Sequence, residues 1–193
     1  MSSLEERIKL LETDLTAVPS RISVYHDLPF AILRYDPGEE WDLRRESRLL
    51  ATRLEEYGKH VEMISMSELL WKAIDETEGM DEVVQLERKR GYSTAQDQVT
   101  TYLSDRDWRP LSGLLAERLV SFDPATTIVF LTRVAAMAPG IYHMSKLLDE
   151  MQGKTKVTTI LFYPGSIEGT TGLRFMDLKD RDALGNYRVK IYG

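Results

Sequence analysis

Apolar positions recur at helical spacing from the start of the chain, with Leu4, Ile8, Leu11 and Leu15 on one stripe. Ser3 and Glu6 form the capping pair that opens such a helix, and Pro19 stops it. The run LPFAILRYDP, ending at Asp36 and Pro37, predicts a buried strand that leaves into a turn. Helical spacing returns over 39–57, where Leu43, Leu50, Leu54 and Tyr57 share a face and Gly58 closes the helix. HVEMIS, His60 to Ser65, predicts a second strand, and Ser65 with Glu68 caps the helix after it. Three further helices are expected over 81–90, 93–103 (capped by Ser93 with Gln96) and 110–122. The last carries Leu111, Leu114, Leu115, Leu119 and Phe122 on one face.

TTIVFLTRV and VTTILFYP are continuous β-branched, apolar runs, the pattern of strands covered on both faces. A helix over 139–151, with Ile141, Met144, Leu148 and Met151 on one side, joins them into a crossover unit. The terminal NYRVKIYG sets Tyr187, Val189 and Ile191 against Arg188, Lys190 and Tyr192, which predicts a half-exposed strand at a sheet edge. The expected architecture is one α/β domain over 1–193. It is three-layered and Rossmann-like, with a mainly parallel sheet and a helical insertion over about 67–122.

Open parallel sheets gather ligands beyond the carboxyl ends of their strands. That rule selects Asp36, Ser65 with Ser67, Arg133, and the glycine-rich stretch Gly165, Ser166, Glu168, Gly169, Thr170, Thr171 and Gly172. A phosphate loop needs a glycine-rich turn with a lysine that opens a helix. Here Gly165 and Gly169 are separated by only three residues, Thr170 follows in place of lysine, and LRFM reads as a short strand. The stretch therefore reads first as a structural turn, with ligand contact left open. FAILRYD has the outline of a magnesium-holding strand end at Asp36, as has any buried strand that ends in a turn. Arg44, Arg45 and Arg48 form a candidate basic patch, although Glu40 and Glu46 also allow a solvated, ion-paired helix face.

Composition narrows the chemistry. There is no cysteine, so disulfides, thiol nucleophiles and cysteine zinc sites are excluded, and His26, His60 and His143 have no ligand spacing. No nucleophile elbow accompanies the histidines, so no catalytic set assembles. Trp41, Trp71 and Trp108 are scattered and read as core or interface residues. A net charge of −6 argues against strong direct DNA binding. Apolar runs of four or five residues fall short of the roughly 20 a membrane helix needs. The acidic, amphipathic N-terminus is unlike a secretory signal, so a cytoplasmic location is expected.

Several stretches together, LPFAILRYDP, LATRLEEYGKHVEMISMSELLWKAIDE, APGIYHMSKLLDEMQGKTKV, LFYPGSIEGTTGLRFM and GNYRVKIYG, resemble the BrxB family of bacterial BREX phage-defence systems. The likeness runs from about Pro29 to Gly193. It implies a system in which a methyltransferase marks host DNA and other proteins block phage propagation. It also implies a core accessory or scaffold without a catalytic motif or cofactor. Its expected partners are PglZ first, then the methyltransferase PglX and the ATPase BrxC. On that reading the glycine-rich stretch, LRFM and the terminal strand with Arg188 form the docking surface. The alternative is a degenerate nucleotide-binding domain that binds without hydrolysis.

Overall fold

The structure is a computed structural model that describes residues 2–22, 27–169, 172–178 and 187–193 of the 193. Helix α1 (Leu4–Thr16) opens with the expected capping box: Ser3 accepts from the Glu6 amide and the Glu6 side chain accepts from the Ser3 amide. Strand β1 (Phe30–Tyr35) follows, then a 3-10 turn (Pro37–Glu39), helix α2 (Glu40–Glu56) and strand β2 (His60–Ser65). Four helices come next: α3 (Met66–Asp75), α4 (Met80–Arg90), α5 (Tyr92–Ser104) and α6 (Leu111–Leu119). The remainder is β3 (Thr127–Thr132), a second 3-10 turn (Val134–Met137), α7 (Met144–Met151), β4 (Thr158–Glu168), β5 (Gly172–Phe175) and β6 (Lys190–Tyr192).

Five strands lie side by side in the order β2-β3-β4-β1-β6, every neighbouring pair parallel, while β5 pairs antiparallel with the far end of β4. Side chains alternate between two cores, as a strand period of two requires. From β1, Phe30 and Ile32 enter the core that holds side chains of α3 to α7. Ala31, Leu33 and Tyr35 enter the core beneath α1 and α2. Every residue of β1 is buried, which is why it reads as a continuous apolar run. This is the three-layer, Rossmann-like α/β arrangement, with β2 at one edge and β6 at the other.

Four details depart from the sequence pattern. Helix α5 begins at Tyr92 with Gly91 as its cap, at φ 89°, so Ser93 lies inside the first turn and caps nothing. The predicted helix over 139–151 starts only at Met144. Ile141 and Tyr142 are buried from a loop, so their apolar spacing reflects packing without helix. Strand β4 does not end at Pro164 but continues through Gly165 to Glu168. The terminal strand keeps the expected half-exposed edge at Lys190 and Ile191 but is short, and its alternation does not divide the faces cleanly. Val189 packs into one core, and Tyr192, 2% exposed, points into the other.

Candidate functional site

Strand β1 lies inside the sheet between β4 and the edge strand β6, and the chain leaves it towards α2, so the carboxyl end of the β1–β4 pair is where an α/β ligand crevice would open. Two buried arginines occupy it. Arg34, 3% exposed, donates from Nη1 to the Gly165 carbonyl at 3.2 Å and forms an ion pair with Asp36. Arg7 reaches across from α1, donating to the Arg34 carbonyl at 2.7 Å and pairing with Glu39 at 3.1 Å. A buried guanidinium is tolerated only when its charge and donors are met, and here both are met largely from within the fold. Asp36 is thereby committed to Arg34, and its amide is capped by Glu39 at 3.0 Å. That pairing accounts from within the fold for an aspartate at the end of FAILRYD.

The glycine-rich stretch forms an arm. Gly165, Ser166, Ile167 and Glu168 pair in register with Phe175, Arg174, Leu173 and Gly172. Gly165 has φ 145°, and a Cβ there would lie 1.9 Å from the Arg174 carbonyl oxygen, so the crossing strand admits only glycine. Gly169, at φ 67°, follows the paired strand in open space. Glu168 and Arg174 form an ion pair across the arm, and Ile167 is 41% exposed while touching Gly193. Thr170 and Thr171 lie outside the described residues.

A second convergence lies beside the first. Arg44 and Arg48 on α2, Ser65 at the end of β2 and Arg133 just after β3 line one cleft of about 210 Å3, together with Glu40 and Glu68. Arg133 adopts the left-handed conformation, φ 56° and ψ 36°, which turns the chain sharply as it leaves β3. Arg44 is held by Glu40 at 2.8 Å and lies 4.7 Å over the Trp41 ring. Arg45 is not part of this group: it pairs with Asp42 at 3.3 Å and Glu46 at 3.1 Å on the solvated face of α2. Arg188 is elsewhere again. It precedes β6 at the amino end of the sheet, in a cleft of about 190 Å3 with Asp27, Asp149 and Gln152. The parallel register thus puts Arg188 and Glu168 at opposite ends of the sheet, so the surface expected to hold both divides in two.

A family model described as "BREX protein BrxB" matches residues 62–191, roughly two thirds of the chain. The chain belongs to the BrxB family. It is a component of BREX phage defence, and membership implies other BREX proteins as partners. No curated protein and no solved structure matches the chain. The BrxB match starts within β2 and ends within β6, so it takes in the arm, Ser65 and Arg133. The resemblance in sequence extends from about Pro29, whereas the matched span leaves β1, α2 and their arginines outside it.

Other positions of this BrxB-family chain are plainer. His60 bonds Glu62 at 2.8 Å, His143 stands at the N-cap position of α7 without a side-chain capping bond, and His26 lies outside the described residues. Among the described residues no group of acidic or histidine side chains is spaced to hold a metal, and no helix is long and apolar enough to cross a membrane. Trp41 and Trp71 are 76% and 52% exposed, so neither belongs to the core. What the apolar pattern hides is a polar lock between the chain's two ends. Asp14, 4% exposed, accepts from the Tyr192 hydroxyl at 2.7 Å and from the Lys190 ammonium. Burial alone would raise the Asp14 pKa. The hydrogen bonds from Lys190 and Tyr192, with the charges of Lys190 and Arg21, outweigh it and hold the carboxyl below its ordinary value. The available signal was that Arg7 and Asp14 stand on the same helical stripe as Leu4 and Leu11, where a solvated charge would not be.

Proposed function

We propose that this BrxB-family protein is a non-catalytic interaction component of a BREX defence complex, a scaffold that engages PglZ first and the methyltransferase PglX and ATPase BrxC beside it. The observation that carries the reading is the β4–β5 arm. At the sheet end where nucleotide-binding α/β sheets place a phosphate loop, the chain puts a paired strand arm with a half-exposed apolar residue, Ile167, between Ser166 and Glu168. Arm residues Ser166, Ile167 and Glu168 offer side chains on both faces and a short free edge, the features that strand addition uses. Arg188, at the other end of the sheet, is not part of this surface. A second reading, ligand binding without hydrolysis, draws on the arginine-lined cleft.

The test is co-purification of tagged protein from cells carrying the neighbouring BREX genes. The double exchange of Glu168→Lys with Arg174→Glu keeps the cross-arm ion pair while reversing the charges the arm shows outside. The expected result is an unchanged thermal midpoint with loss of PglZ from the eluate. An undiminished complex overturns the docking role of the arm.

A further inference from the structure

The three arginines of the rim cleft come from two separate elements and meet at the carboxyl ends of β2 and β3, where ligands collect in this architecture. Their charges are not answered equally. Arg44 is neutralised by Glu40, whose other oxygen takes the Tyr35 hydroxyl. Arg48 and Arg133 are exposed and have no ion pair among the described residues, and the one remaining carboxylate lining the cleft is Glu68. Two unanswered guanidinium groups against one carboxylate leave the cleft net positive in a protein of net charge −6. Diffuse attraction to anions is therefore not the cause of any binding here; it must be local.

We infer that this cleft binds the phosphate end of a small phosphorylated ligand, with Arg48 and Arg133 as its cationic clamp and Arg44 as a pre-set third donor. A planar carboxylate is satisfied by one bidentate arginine, whereas a tetrahedral phosphate offers separate oxygens to arginines arriving from different elements. The volume suits that assignment. About 210 Å3 is below the roughly 300–1,000 Å3 of pockets that enclose a whole ligand, so it takes a phosphate or diphosphate and leaves the rest outside. The remainder has a place to go, because a second cleft of about 520 Å3 shares Met63, Ser65 and Glu68 with the first and runs on to Lys72, Glu117 and Arg118. Ser65 is the N-cap of helix α3, and the positive end of that helix dipole adds to the same potential. The inference rests on the second reading above, ligand binding without hydrolysis, and is independent of the arm's docking role.

Isothermal titration with inorganic phosphate, pyrophosphate and ATP tests the inference on the whole chain. Saturable binding of pyrophosphate and ATP is expected, with phosphate weaker. Arg48→Ala with Arg133→Ala is expected to weaken it about tenfold or more, since each arginine is a charge-assisted contact. Glu68→Gln, which removes the opposing carboxylate and leaves the Glu68 amide on Ser65 in place, is expected to tighten it several-fold. That opposite sign separates a ligand site from mere destabilisation. Binding of ATP but not pyrophosphate would place recognition outside the cleft and overturn the assignment. So would no saturation below about 10 mM, or affinity indifferent to both the arginine and the Glu68 variants, which marks an adventitious ion only.

Discussion

Asp14 shows how much one side chain inside a helix stripe can decide. It sits where α1 should be apolar, and its partners Lys190 and Tyr192 are supplied by the last strand, so the polar contact ties the first helix to the last strand. Asp14→Asn weakens the acceptor for a buried hydroxyl and an ammonium, and is expected to cost about 1 to 3 kcal/mol near neutral pH. The sign with pH follows from linkage. A carboxyl whose folded pKa is depressed contributes fully above its unfolded value, about 3.8, and loses that contribution as pH falls through the lower folded value. Denaturant midpoints of the two proteins should therefore differ at pH 6 to 7 and converge below about pH 4. A constant gap across that range would show that the lock is not ionic. Arg34 makes the related point: its Nε is buried without a partner among the described residues, a local cost accepted where the guanidinium plugs the strand ends.

Among elements, the strands and most helices were legible because their patterns were forced by burial. HVEMIS is β2 to the residue, and β1 and β3 follow from continuous apolar runs that only a doubly covered strand needs. The arm was half legible. LRFM reads as strand, but the glycines before it look like a loop, because nothing local says that Gly165 is crossed at its α-carbon by the Arg174 carbonyl. The cleft was legible as separate residues, Arg44, Arg48, Ser65 and Arg133, and not as a group. Their convergence depends on α2 packing over β2 and β3, a long-range fact. The contrast between two glycines checks the arm itself. Gly165→Ala must push the Arg174 carbonyl aside and is expected to cost about 2 to 4 kcal/mol, whereas Gly169→Ala, with open space around it, should cost about 1 kcal/mol from its positive φ alone. Equal midpoints for the two variants would mean that the crossing is looser than drawn.

At the scale of the molecule, the sheet divides its labour between its ends. The crevice at the β1–β4 pair is filled from inside by Arg7, Arg34 and the base of the arm, the open cleft is displaced to the β2–β3 side, and the arm carries one of several exposed apolar residues, Ile167. Edge strand β2 keeps its first four residues at least partly exposed, so the arm is not the sole open strand. Charge argues for protein partners over bare duplex DNA, since a net −6 surface opposes a polyanion at long range. The central claim is that the arm is where this BrxB-family chain meets another BREX protein, and amide hydrogen exchange with and without purified PglZ measures it most directly. The account predicts slowed exchange in 165–169 and 172–175 on adding PglZ, with the Asp14 lock unaffected. Stable complex formation with protection confined to other surfaces, and none along the arm, would contradict it.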